Sequence, residues 1–525
     1  MTSGCVALVL HAHLPFVRHP EHEHFLEEEW LFEAITECYI PLLFTMQRLV
    51  SDAVPFKLTM SMTPTLCAML QDELLQARYL RHLDLLIELA EREQTRNRKD
   101  AQLKELADFY FGLFSAARRF FADEWKCDLL AAFRALRDAG VLEIIASAAT
   151  HGLLPLLAQQ SPAAARAQVR IGRDSYVDLW RSEPPGFWLP ECAYAPELDG
   201  ILQEANIRWF ILDAHGLLFA QPQPQRGVYA PCFTPRGPAA YARDCDSSRQ
   251  VWSATEGYPG DPAYREFYRD LGFDLPLEHL GPVARGTRKF SGLKYHRITD
   301  RTAAKELYDP AAAARAAARH ARHFVEQRRH QLQSLRAQMS APVVVIPFDA
   351  ELFGHWWFEG PQFLELVIRY AAEKSTPLRL TTPTEYLAAH PTQQTIAPAR
   401  STWGAGGNLG MWLDAANAWI YPHLHAAALR LSALAREHAA NSAASTDRVL
   451  QQLTRELLLA QASDWAFLIK TGTAREYATK RTLDHLTRFN RLHDQFIANG
   501  VDEQFLRECE WRHNIFPNVN WRYYI

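Results

Sequence analysis

The stretch PVVVIPFDAELFGHWWFEG, residues 342–360, runs four apolar residues, Val343 to Ile346, directly into acids and aromatic rings. A short continuous apolar run bounded by prolines reads as a strand buried on both faces, the kind found in parallel sheets. Asp349, Glu351, His355, Trp356, Trp357 and Glu359 follow at once. Five other segments repeat the pattern: CVALVLHAH (5–13), FKLTMSMTP (56–64), LEIIASAATHG (142–152), GFWLPEC (186–192) and IRWFILDAHG (207–216). Each leads into a polar turn and then a helical pattern, which predicts an α/β chain with a parallel sheet covered by helices. In a closed parallel barrel, functional groups collect at the C-terminal ends of the strands. His11, His13, His151, Glu191, Asp213, His215 and Asp349 all fall at such ends.

The organisation follows from what lies between the strands. The barrel is expected over residues 1–70 and 141–395. Charged, periodic sequence such as LLIELAEREQTRNRKDAQLKELADFY predicts a helical insertion at 71–140. Residues 221–262, beginning QPQPQRGVYAPCFTPRGPAAYARD, read as a long irregular loop over the cleft, because loops of that length are usually functional. A Pro/Thr/Ala linker near 388–402 precedes a helical C-terminal domain, 396–525.

A chain of 525 residues exceeds one ordinary core, so two or three domains are the prior. Its net charge of −4 argues against nucleic acid and against anionic membranes, both of which call for a basic face. No apolar run reaches membrane-spanning length, and the start MTSGCVALVLHAHLPF carries no basic leader. Eight scattered cysteines without a CxxC pair argue against zinc fingers and disulfides, and fit a cytoplasmic setting.

Two chemistries compete for the strand ends. His11, His13, His151 and the Asp213/His215 pair offer donors for a divalent ion, as in metal-dependent polysaccharide deacetylases. Alternating strand geometry puts both imidazoles of HAH on one side, which equally suits sugar hydroxyls. Glycoside chemistry instead needs two carboxylates, one ionised and one protonated, flanking the bond to be cleaved. Glu191 and Asp349 stand in matched positions after their strands. Tryptophans beside Gly, Asp and Glu add flat faces on which sugar rings stack.

HAHLPF, ATHGLLPLL, GFWLPECAYAPEL, PFDAELFGHWWFEG and SDWAFLIKTGTAREYA resemble, in order, the five sequence regions of glycoside hydrolase family 57. The likeness is strongest to its 1,4-α-glucan branching subgroup, through EEEWLFEAITECYIPLL, EGYPGDPAYREFYRDLGFDLP and GLKYHRITD as well. The resemblance implies an incomplete (β/α)7 barrel with a helical insertion and an all-α C-terminal domain. It implies a retaining double displacement without metal or cofactor. Glu191 matches the family's nucleophile and Asp349 its general acid/base. His11, His13 and His151 match residues lining the donor-sugar subsite, and Asp464 and Trp465 lie in the fifth region. His355 and the tryptophans Trp356 and Trp357 are expected to hold Asp349 and wall the cleft, with Glu351 and Glu359 fixing the turn.

The same resemblance makes Trp30, Trp403 and Trp412 glucan-binding residues and sets Tyr241 over the cleft from the long loop. Transfer to a 6-hydroxyl outruns hydrolysis only if the site excludes water and orients the acceptor, where positioning is equivalent to about 10⁵ M or more. The expected activity is therefore α-1,6 branching of amylose- or glycogen-like glucan by a monomer or homodimer. An α-amylase or 4-α-glucanotransferase on the same scaffold is the alternative. A non-catalytic glucan binder and the deacetylase represent other classes. His296, where relatives often carry an aromatic residue, marks a subsite that departs from the pattern.

Overall fold

Strand β1 (Cys5–Ala12) is buried along its whole length, and its residues divide by the two-residue period of a strand. Val6, Leu8 and Leu10 join the large outer core beneath the helices. Cys5, Ala7 and Val9 join a separate, smaller core with Ile145, Trp188, Trp209, Ile211, Tyr241, Val343 and Val345. That second core is the inside of a ring of strands. The computed structural model describes residues 4–253, 256–300, 304–374, 378–440 and 443–525.

The remaining strands are β2 (Leu58–Met62), β3 (Leu142–Ser147), β4 (Phe187–Trp188), β5 (Trp209–Leu212), β6 (Cys232–Phe233), β7 (Ala239–Ala242), β8 (Val343–Asp349) and β9 (Arg379–Leu380). Their order is β6-β7-β5-β4-β3-β2-β1-β8, with β9 also pairing β1. Apart from the antiparallel β6–β7 pair, neighbours run parallel. A parallel bridge between Arg243 and Val345 joins the far end of β7 to β8 and closes the ring. The register sets His11 level with Ser61 on one side and Asp349 on the other. One short stretch of β1 thus brings three polar side chains to the same rim.

The chain between β2 and β3 forms the helices Glu73–Arg96 and Ala101–Arg119, which pack along one another. In the first, Leu75, Tyr79, Leu83, Leu86 and Ala90 recur at helical spacing and are buried, while Asp72 caps its start by accepting from the Leu75 amide. The segment 221–262 departs from expectation. Instead of an irregular loop it holds β6, β7 and the helix Cys245–Trp252; Ala254 and Thr255 within it lie outside the described residues. The reason is that the strand period turns Ala239 and Tyr241 into the tight interior of the ring and Ala240 and Ala242 into the outer core, a packing that its small residues permit.

Beyond residue 402 the helices Ile420–Glu437, Ala444–Ala460, Ser463–Thr471, Arg475–Ile497 and Glu503–Arg512 stack together. Their interior holds a fully buried carboxylate, Glu456. It accepts from His485 Nδ1 at 2.8 Å and from His513 Nδ1 at 2.7 Å, tying two helices to the chain's final segment. Among the described residues, no helix is long and apolar enough to cross a membrane.

Candidate active site

Glu191 lies in a single turn, Pro190–Cys192, that follows β4 directly. Its φ of 62° is left-handed, a conformation costly for a residue with a side chain and held only when its surroundings demand it. The surroundings are hydrogen bonds from two distant segments. Trp403 donates Nε1–H to Glu191 Oε2 at 2.9 Å, and its amide donates to the Glu191 carbonyl at 3.0 Å. Ser463 donates Oγ–H to Oε1 at 3.1 Å. Burial still carries the Glu191 carboxyl above its ordinary range, although these two donors and the nearby His13 pull it down.

Asp349 ends β8 and is treated differently. Among the described residues its carboxylate has no hydrogen-bond donor. Burial, followed by the negative charges of Glu351 and Glu191, holds it well above the usual carboxylate range, with Arg243 opposing. Two acids at one rim, one supplied with donors and the other denied them, are set to carry opposite protonation states.

The histidines form a packed row beside Glu191. The rings of His13 and His151 stack with centroids 3.9 Å apart, and His11 stacks on Trp188 at 4.4 Å. His11 Nε2 lies 3.0 Å from His151 Nε2, and His11 Nδ1 lies 3.2 Å from Ser61 Oγ. His151 Nδ1 meets Ser463 Oγ at 3.0 Å. His13 places Nδ1 at 3.0 Å from Thr63 Oγ1 and Nε2 at 3.1 Å from both oxygens of Asp464. Burial alone would lower His13, but Asp464, Glu191 and Glu351 together raise it. Ligand atoms of His13, His151 and Asp464 come within 4.8 Å of one another, a spacing that suits a cation as well as hydrogen bonding. Asp213 and His215 do not join them: Asp213 pairs with Arg243, and His215 Nε2 donates to the Gly407 carbonyl at 2.9 Å.

Several expected residues stand elsewhere. Tyr241 is 1% exposed inside the ring on β7, with its hydroxyl donating to the Pro383 carbonyl at 2.7 Å, so it does not cover the cleft. Trp357 packs into the outer core and Trp465 into the helical core, where its Nε1 donates to the Leu459 carbonyl at 2.8 Å. Trp412 is 1% exposed beneath the glycine turn, with Gly404 against its ring. None of these three indoles offers a face to a ligand. His355 does not hold Asp349; its Nδ1 bonds Glu37 at 2.8 Å, and Glu37 also pairs with Arg265 at 3.3 Å. Trp356 is 53% exposed and stacks on Phe267, and Trp30 is partly buried with its edge against Tyr477.

Two further residues join the site, Ser463 and Glu351. Ser463 opens the same SDWAFLIK motif as Asp464, and the N-terminal turn of a helix that carries one site residue is where the next one belongs. Glu351 accepts from Tyr39 Oη at 2.5 Å and from the His13 amide at 3.1 Å, so it fixes the turn and also adds charge beside Asp349.

Residues 7–274 match the sequence profile of Glycosyl hydrolase family 57, and residues 423–524 that of the 1,4-alpha-glucan branching enzyme C-terminal region. The chain is 34% identical to the 1,4-alpha-glucan branching enzyme of Thermococcus kodakarensis, an alignment spanning 98% of this chain and 78% of that protein. It belongs to glycoside hydrolase family 57. The crystal structure of the novel α-amylase AmyC from Thermotoga maritima superposes with a TM-score of 0.93 at 43% identity, covering 100% of this chain and 99% of that one. The branching enzyme of Pyrococcus horikoshii superposes with a TM-score of 0.89 at 34% identity, covering 99% and 97%. The (β/α)7 barrel with a helical C-terminal region is the family's fold.

Proposed function

We propose that this family 57 protein is a 1,4-α-glucan branching enzyme, with Glu191 as nucleophile and Asp349 as general acid/base. One observation carries the assignment of roles: the two acids share a rim, yet among the described residues Glu191 receives two side-chain hydrogen-bond donors and Asp349 none. The donors favour an ionised Glu191, and the apolar, negatively charged setting favours a protonated Asp349.

In the first displacement Glu191 attacks C1 of a glucosyl unit while Asp349 gives its proton to the departing 4-oxygen, leaving a glucosyl–Glu191 ester. In the second, ionised Asp349 takes the proton from the 6-hydroxyl of another chain as that oxygen attacks C1, forming an α-1,6 bond and freeing Glu191. Both steps draw on the two carboxylates and call for no metal. The barrel of 1–70 and 141–395, with 71–140 inserted, supplies the acids, and the helical 396–525 segment supplies Trp403, Ser463 and Asp464. Trp356, Trp30 and the partly buried Trp403 are the aromatic faces for the glucan. Eight cysteines, all free, support a reducing, cytoplasmic setting.

Two observations favour hydrolysis as a second reading: the 43% identity to an α-amylase, and a Tyr241 that sits inside the ring rather than over the cleft. One experiment separates them. Amylose is incubated with the protein, α-1,6 linkages are counted by proton NMR, and new reducing ends are titrated in parallel. Branching requires α-1,6 signal in excess of new reducing ends. Reducing ends without branches would assign the α-amylase activity.

A further inference from the structure

The hydrogen bonds around the histidine row have a direction, and Glu191 sets it. An ionised carboxylate only accepts. The Ser463 hydroxyl, 3.1 Å from Glu191 Oε1, therefore spends its proton on Glu191. Ser463 Oγ is then free only to accept, and His151 Nδ1 at 3.0 Å must carry the hydrogen. Burial, with the neighbouring His13 and His11 charges adding to it, pushes His151 well below its ordinary value, so its other nitrogen is bare. That bare Nε2 lies 3.0 Å from His11 Nε2, which must donate. His11 is likewise pushed down by burial and by His13, so its Nδ1 accepts from the Ser61 hydroxyl at 3.2 Å. With both imidazoles neutral and Glu191 ionised, this is the placement that satisfies all four contacts.

We propose that Ser463 is a positioning residue for Glu191 and the last member of a one-way hydrogen-bond relay running from Ser61 through His11 and His151. Both nitrogens of His11 and of His151 are committed within the protein. These two rings therefore act on Glu191 through Ser463. The relay also explains the left-handed backbone of His151, with a φ of 58°, because that turn aims its Nδ1 at the helix carrying Ser463. The His151 carbonyl accepts from the Ser463 amide at 3.1 Å, so the two residues are bound twice. Glu191 is faced by His13 from β1, His151 from the segment after β3, Asp464 from the Ser463–Thr471 helix and Asp349 from β8.

The inference rests on Glu191 being the nucleophile, and two measurements test it separately from that reading. The first uses the unmodified protein labelled with ¹⁵N-histidine, whose ring shifts distinguish tautomers. At pH 7, His151 is expected as the neutral Nδ1–H form and His11 as the neutral Nε2–H form. The opposite tautomer at either ring, or a protonated ring, overturns the relay. This holds whether or not the protein branches glucan. The second is Ser463→Ala. Loss of a donor to an ionised carboxylate should lower kcat about tenfold or more, with KM changed less than about twofold. The acidic limb of the pH–rate profile should move up by about half to one unit. An alanine variant within twofold of the parent kcat, or a loss with an unmoved acidic limb, overturns the positioning role. An inactive parent protein with the expected tautomers would reject the catalytic reading and leave the relay standing.

Discussion

Replacing Tyr241 by phenylalanine separates a residue that builds the barrel from one that covers the cleft. The ring lies edge-on to Trp209 at 5.7 Å and to Tyr386 at 6.4 Å, so phenylalanine keeps the packing and opens no cavity. What is lost is one buried hydrogen bond, from the hydroxyl to the Pro383 carbonyl at 2.7 Å. A buried neutral bond of this kind is worth about 1 kcal/mol, rising to about 3 kcal/mol if the carbonyl is left with no other partner. Pro383 opens the helix Pro383–Ala389, and its carbonyl is positioned to accept within that helix, which favours the lower figure. A loss of about 1–2 kcal/mol in urea unfolding is therefore expected. The ratio of α-1,6 linkages formed to reducing ends released should stay as in the parent. A tenfold swing of that ratio toward hydrolysis, with stability untouched, would refute the placement of Tyr241 and restore its role as a cover.

Trp403→Phe removes the other donor to Glu191 while keeping an aromatic ring. The Trp403 bond lowers the Glu191 pKa, so its loss raises that pKa. A smaller fraction of Glu191 is then ionised at mildly acidic pH, and the acidic limb of kcat/KM should rise by about one unit. Glu456→Ala should destabilise the fold by about 2–6 kcal/mol, read by thermal unfolding at pH 7, because two buried imidazole N–H groups lose their shared acceptor at about 1–3 kcal/mol each. The His485 and His513 partners hold Glu456 far below its ordinary range despite burial. Its contribution is therefore present above the unfolded pKa near 4.3 and fades as pH falls below it, so parent and variant should converge in acid.

How much of this was legible in the sequence depended on whether a periodicity reached the residue in question. The shared side of His11 and His13 is legible because β1 alternates, and the small inward residues Cys5, Ala7 and Val9 fix which side it is. Glu191 and Asp349 stand out in the sequence because each follows an apolar strand run, and the structure sets both at the rim after their strands. Tyr241 was misplaced because AAYA lacks the branched residues that mark a strand, and Pro- and Gly-rich sequence surrounds it. Adjacent tryptophans misled for a related reason. Trp356 and Trp357 leave the backbone in different directions, one to solvent and one to the core. On the Ser463–Thr471 helix, neighbours are about 100° apart, so Asp464 reaching the site turns Trp465 into the helical core. Residue type alone carries no information about facing.

Ser463 shows the limit most clearly, because its importance lies in a contact with a residue 272 positions away. The segment between barrel and helices, read as a linker, explains how that contact is kept. It is not a free tether. Ala397 bridges Gln221, Ser401 bridges Tyr194, and the Trp403 amide bonds the Glu191 carbonyl, so the chain is stitched along the rim up to the turn that carries Glu191. His215 then binds Gly407, and the His151 carbonyl receives the Ser463 amide. A barrel alone would leave Glu191 with neither of its side-chain donors, the groups that lower its carboxyl against the effect of burial. The helical segment is therefore part of the environment of Glu191 as much as a wall for substrate, and, under the proposed roles, a variant that loosens it should slow the first displacement before it alters glucan binding.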